Sequence, residues 1–183
     1  MMKMNRVALL ILVCSNFVAL GSAHAQSNYN HGDYPHWSDF DGNGRNTRQE
    51  LLTMLSTIPV SYSSNGRTVT HGRWISSWTG DIYVNPRDLE IDHTVALGYA
   101  HARGAKYWSR EQREIFANDP RNLQAVEGTL NRKKGAAGIT EWLPPKNQCQ
   151  YIARFHRIML TYKLSYYDKE RVKVNELISK CSL

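Results

Sequence analysis

Sulfur is scarce in this chain, and most of what it lacks narrows the reading. Of its 3 cysteines, only Cys149 and Cys181 lie beyond residue 25. Two thiols are too few for a cysteine-ligated zinc centre. A zinc site built from His93 with His101 or His71 has no diagnostic spacing. No apolar run after Leu20 is long enough to span a bilayer. No internal repeat and no low-complexity segment is visible, which excludes a solenoid and a disordered linker. The Trp and Tyr residues are scattered and form no stacking pattern, so most are expected in the core or at its rim. Acidic residues are thin in the second half, where residues 103–183 hold 16 Lys/Arg against 8 Asp/Glu.

The first 25 residues have their own logic. Lys3 and Arg6 form a positive start, Val7 to Leu20 is apolar, and Ala23-His24-Ala25 has the small-x-small form of a signal-peptidase site. Cys14 does not make a lipoprotein signal, because bulky Val13 precedes it and it lies mid-run. The expectation is a signal peptide over residues 1–25 and a secreted or periplasmic protein without a transmembrane segment. A loose polar arm is expected over 26–35, and one domain over 36–183. Residues 26–102 carry 5 Lys/Arg and 8 Asp/Glu, so an acidic segment is joined to a basic one. That arrangement suits a protein that binds a cation and a polyanion together.

The chemistry concentrates in the middle of the chain. Leu89-Glu90-Ile91-Asp92-His93 is followed by Asn122-Leu123 and then by Asn131-Arg132-Lys133-Lys134-Gly135. Asp92 offers a hard oxygen ligand and Asn131 a neutral amide oxygen. His93 is an imidazole able to deprotonate water near neutral pH. Glu90 is placed to act around a cation, as a partner of its water. Oxygen ligands alone favour Mg2+, with Mn2+ as a substitute. Arg132, Lys133 and Lys134 form a basic cluster able to contact phosphates without reading sequence. Each residue alone is commonplace, whereas the ordered set suits the cleavage of a phosphodiester.

This set resembles the HNH endonucleases, and more closely the small secreted HNH proteins related to the C-terminal domain of GmrSD-type restriction endonucleases. The likeness extends to Trp37-Ser38-Asp39, Phe116-Ala117-Asn118-Asp119 and Glu141-Trp142-Leu143-Pro144-Pro145, and covers most of the chain from Tyr34 to Tyr162. It implies a ββα-metal unit holding one divalent cation on Asp92 and Asn131, with His93 as general base. It also implies that Asn122 braces the loop that orients His93. Asn131 stands where many relatives have His, a known variation of the pattern.

The expected fold class is α+β: a ββα-metal (HNH) core with an N-terminal hairpin region and a C-terminal helical hairpin. Thr47 to Ser56 reads as a helix, and Val60 to Thr70 as a hairpin about Asn65-Gly66. Arg73 to Val84 reads as strands about Thr79-Gly80-Asp81. Period-two alternation over Leu89 to Asp92 buries Leu89 and Ile91 and turns Glu90 and Asp92 to an open face. Ser109 and Gln112 form a capping box for a helix to Asn118. Asn122 to Val126 is the second strand, and Glu127 to Lys134 a helix showing Asn131 and Lys134 on one face. Helices over 146–163 and 168–181 would bring Cys149 and Cys181 level across a short turn, so a disulfide is expected.

A second cation signal lies upstream. Asp39, Asp41, Asn43, Gly44 and Glu50 satisfy the EF-hand loop spacing, so Ca2+ is a possible structural ion there. No clear helix precedes the loop, because Pro35 interrupts the sequence before it. In the resembling secreted proteins a similar stretch ending in Thr-Arg-x-Glu belongs to the nuclease domain, which would turn Arg48 toward phosphate. The leading expectation is a monomeric, secreted, metal-dependent endonuclease acting on DNA or RNA with little sequence specificity. Its competitor is a non-catalytic secreted module that binds calcium and a polyanion and carries a relic site. Nothing in the sequence identifies an inhibitor partner.

Overall fold

The computed structural model describes residues 29–181, so the signal-peptide expectation lies outside the described residues. Among the described residues six α-helices and six short strands form an α+β arrangement, and all these strands pair as antiparallel couples. Helix α1 (Thr47–Leu55) begins at Asn46, whose side chain accepts the Gln49 N–H. Strands β1 (Ser61–Tyr62) and β2 (Val69–His71) form the expected hairpin, with Gly66 at φ 72° in its turn. Strands β3 (Trp74–Ile75) and β4 (Ile82–Tyr83) form the next one.

The central pair is β5 (Leu89–His93) with β6 (Leu123–Glu127), in a register that sets His93 opposite Leu123 and Asp92 opposite Gln124. Leu89, Ile91, Leu123 and Ala125 turn one face of this pair onto Leu51, Leu52 and Trp74. Helix α4 (Gly128–Lys134) follows β6 directly and packs across both strands. Gly128 opens α4 beside the Glu90 carboxylate, which would have to swing aside for a Cβ at this position.

The connection from β5 to β6 holds more order than its sequence signals. Helix α3 (Arg110–Asn118) has the predicted capping box at Ser109 and Gln112. Helix α2 (Leu97–Ala102) was not foreseen. It has no side-chain cap, and tertiary contacts hold it. Arg103, next in the chain, donates to Glu170 Oε2 at 2.7 Å and lies 3.2 Å from the Tyr99 ring centre. The N-terminal arm also differs from expectation. From His31 to Asp33 it makes a 3-10 turn, and Tyr34 is fully buried with its hydroxyl 3.0 Å from His101 Nδ1. An aromatic side chain with a hydrogen-bond partner inside the core outweighs the polar composition that suggested a loose segment.

Helices α5 (Gln148–Thr161) and α6 (Asp168–Lys180) form the C-terminal hairpin over the larger core cluster, which contains Phe116, Tyr151, Phe155, Met159 and Val174. The hairpin is closed by a disulfide between Cys149 and Cys181, with Cα atoms 5.2 Å apart. At a sequence separation of 32, its reduction should cost about 3–4 kcal/mol on the chain-entropy model. Denaturation with and without reductant measures that difference, and two free thiols in non-reducing peptide maps of the exported protein would refute the pairing.

Candidate active site

Strand β5 delivers Glu90, Asp92 and His93, the start of β6 delivers Asn122, and α4 delivers Asn131, Arg132 and Lys134. The fold therefore gathers residues spread over 45 positions at one end of a hairpin and its crossing helix.

His93 is 9 % exposed, and its Nε2 lies 2.7 Å from the Ala117 carbonyl oxygen. A carbonyl can only accept, so the ring carries its proton on Nε2 and leaves Nδ1 as a lone pair. Burial is the chief reason its pKa falls to about 4, and the positive charge of Lys134 adds to the fall. The imidazole is therefore neutral at pH 7. The Trp37 ring stacks on it, with centroids 6.4 Å apart and planes 28° apart. Trp37 takes a left-handed backbone conformation, φ 61°, which is rare for so bulky a residue.

Asn118 holds this arrangement together. Its Oδ1 accepts the Ser38 N–H at 3.0 Å and the Thr47 hydroxyl at 2.8 Å. Its Nδ2 donates to the Pro35 and Glu114 carbonyls at 2.9 and 2.8 Å. The loop bearing Trp37 is thus tied to the residue that follows Ala117. Asn122 is fully buried and clamps the turn after His93 from the other strand. Its Oδ1 accepts the Val95 N–H at 2.8 Å, its Nδ2 donates to the Val95 carbonyl at 3.2 Å, and its backbone carbonyl accepts the Thr94 N–H at 2.6 Å.

Asp92 and Lys134 correct the expectation of an open acidic face and an exposed basic cluster. Asp92 is 7 % exposed and Lys134 2 %. The ammonium stands 2.9 Å from Asp92 Oδ2 and 3.2 Å from Oδ1, and donates to the His93 carbonyl at 2.9 Å. Only the contact to Oδ1 has hydrogen-bond alignment, so buried Oδ2 is balanced by charge but accepts no hydrogen bond. Alternation alone would have left Asp92 in solvent. Because α4 crosses the hairpin, the face is covered and Lys134 is drawn inward. Burial raises the Asp92 pKa from 3.8 to about 6 while Lys134 opposes the shift, leaving the carboxylate mostly ionised at pH 7.

Glu90 stays partly open. It accepts Asn131 Nδ2 at 2.9 Å and Arg132 Nη1 at 3.0 Å, which engages the Asn131 amide nitrogen, while its oxygen makes no hydrogen bond among the described residues. Arg132 remains largely exposed and Lys133 is fully on the surface. Arg48 is placed otherwise than expected: half-buried at the start of β5, it donates to the Pro86 and Leu89 carbonyls at 3.0 and 3.3 Å.

The Asp39–Glu50 loop leads into α1 as a separate feature. Asp39 accepts the Gly44 N–H at 2.9 Å, and Asp41 and Glu50 both accept Asn43 Nδ2, at 2.7 and 3.1 Å. Among the described residues, no three His, Cys, Asp or Glu side chains converge as a protein-only metal site. At the hairpin the oxygen donors are one carboxylate and one amide. Such a pair fits a hydrated hard cation shared with a substrate phosphate, the usual habit of Mg2+. With Lys134 already balancing Asp92, that cation would be held weakly.

Trp37 and Asn118 had no chemical signature in the sequence and entered only through the resembling segments around them. The Ala117 carbonyl had none at all, since a backbone acceptor carries no residue identity.

A strand pair and its helix thus hold an acid, an imidazole and two asparagines within one small α+β domain. A family profile described as GmrSD restriction endonucleases, C-terminal domain, matches residues 36–177. The chain belongs to that family. It is 32 % identical over 161 residues to an "Uncharacterized secreted protein" of Arthroderma benhamiae, with 85 % of this chain and 77 % of the relative covered. No solved structure matches the chain.

Proposed function

We propose that this protein is a secreted or periplasmic HNH endonuclease that hydrolyses phosphodiester bonds of DNA, with RNA as a further substrate, and that β5, β6 and α4 are its ββα-metal unit. The observation that carries the proposal is the state of His93: a neutral ring whose Nε2–H is committed to Ala117, leaving Nδ1 to accept a proton. Family membership and the secreted relative support the same reading.

In the proposed reaction His93 Nδ1 takes a proton from water as the water oxygen attacks phosphorus in line. The P–O3′ bond breaks and the 3′-oxygen leaves, taking up a proton from solvent. An anionic phosphate entering beside the ring stabilises the imidazolium that forms, raising its pKa toward neutrality. A divalent cation on Asp92 and Asn131, Mg2+ or Mn2+, would supply positive charge for the transition state and the leaving oxygen. Glu90 aims the Asn131 amide, Asn122 and Ala117 fix the His93 ring, and Arg132 and Lys133 steady flanking phosphates.

The test is plasmid DNA and a long RNA incubated with the purified protein. With Mg2+ the expected products are nicked and then linear plasmid, EDTA stops the reaction, and added Mg2+ restores it. Intact DNA and RNA under every metal tried would overturn the proposal in favour of a calcium- and polyanion-binding module.

That second reading has one observation behind it: Asp39, Asp41 and Glu50 each accept a hydrogen bond from the backbone or amide N–H of Asn43, which ties the EF-hand-spaced residues into one loop without gathering them as a ready-made cluster. A structural Ca2+ at this loop would raise the melting temperature of the wild type but not of Asp39→Ala. Equal shifts in the two proteins would remove it.

A further inference from the structure

Three arginines outside the candidate active site, Arg121, Arg154 and Arg157, line a surface groove of about 480 Å³ along α5. The groove begins at the catalytic end of the hairpin. Arg154 Nε donates to the Arg121 carbonyl at 2.9 Å and its Nη2 reaches the Leu123 carbonyl at 3.4 Å. Leu123 is the residue paired with His93.

Two of the three charges are set in place, and the set is poorly neutralised. Arg121 Nε lies 3.0 Å from both Asp119 oxygens, and Asp119 also accepts the Tyr162 hydroxyl at 2.6 Å. This fixes the Arg121 head although its side chain is 65 % exposed. Arg157 is exposed and its guanidinium makes no hydrogen bond or ion pair among the described residues. Among the described residues Asp119 is the one carboxylate paired with any of the three, so two of the positive charges have no ion-pair partner there. No aromatic ring lines the groove, which removes the usual means of gripping bases. Planar guanidiniums suit phosphate oxygens, and here Arg121 and Arg154 are held in place while the exposed Arg157 has all its donors available.

We propose that Arg121, Arg154 and Arg157 bind backbone phosphates of the nucleic acid beyond the scissile linkage, so that the bound strand continues from the hairpin along α5. This rests on the nuclease reading for its choice of polyanion. Each arginine removed should make the salt dependence of binding about one unit shallower.

The experiment measures fluorescence anisotropy of labelled oligonucleotides in EDTA over a series of salt concentrations, for wild type, Arg157→Glu and Arg121→Gln. Arg157 is exposed, so its variant should keep the wild-type melting temperature; Arg121→Gln gives an independent probe without charge reversal. The expected result is a shallower slope for both variants with a 20-nucleotide strand, and little change with a dinucleotide that fills only the hairpin site. Unchanged slopes with the long strand would overturn the proposal. So would variants that lose affinity for heparin or anionic vesicles while binding nucleic acid as the wild type does. Because binding is read without cleavage, an inert plasmid assay together with shallower slopes would sink the catalytic reading and leave the groove standing.

Discussion

Replacing His93 with Ala should reduce turnover by roughly 10²–10⁴, the usual worth of a general base, while nucleic-acid affinity stays close to wild type. The expectation follows from placement. The ring is 9 % exposed with one nitrogen committed to Ala117, so it offers the substrate a proton acceptor rather than a cationic grip. In the proposed complex the phosphate contacts fall to Arg132, Lys133, Arg121, Arg154 and Arg157, none of which the change touches. Single-turnover cleavage of a labelled duplex gives the rate, anisotropy in EDTA gives the affinity, and a melting curve verifies the fold. A folded His93→Ala protein that cuts at the wild-type rate would remove His93 from the mechanism.

Lys134→Met should lower stability by about 3–5 kcal/mol, because it leaves the Asp92 carboxylate buried without its counter-charge. For a domain of this size that is a fall of roughly 10 °C or more in melting temperature. Asp92→Leu should destabilise as well, by stranding the ammonium of Lys134. This departs from what the sequence suggests, where Asp92 is a solvent-facing ligand whose loss spares the fold. The double variant Asp92→Leu, Lys134→Met removes both charges and should recover most of the loss, since a buried pair replaced by apolar side chains is often neutral. Chemical denaturation of the four proteins closes the cycle. If Lys134→Met melts with the wild type, the ion pair is not what holds α4 to β5.

Asn118 shows where local and global information part. Its neighbours Phe116 and Ala117 complete a helix whose start is plain in the sequence, since Ser109 and Gln112 cap it across three residues. Nothing local says that the Asn118 side chain will span to Pro35, Ser38 and Thr47, because those partners lie up to 83 positions away. Trp37 is the same case: its strained backbone and its stacking on His93 exist only once α3 has docked.

The sequence by itself determined the elements whose signals are local. These are the Asn65-Gly66 hairpin, the capped helix α3, the two strands that carry Glu90 to His93 and Leu123 to Glu127, and the helical pair that brings Cys149 to Cys181. It also determined the chemical kit, since Asp92, His93, Asn122 and Asn131 are recognisable by type and order. Tertiary structure alone decided which of those groups water can reach. Period-two alternation says that Asp92 and Ile91 face opposite ways, but not what covers each face. The crossing of α4 buried Asp92 against Lys134, and the docking of α3 committed one nitrogen of His93 to a backbone carbonyl. It also decided that Arg48, a phosphate contact by sequence, would brace the start of β5, and that α2 would form without a cap of its own. The physical reason is the same throughout: burial, tautomer and ion pairing depend on groups distant in sequence, and only the packed chain brings them within a few ångströms.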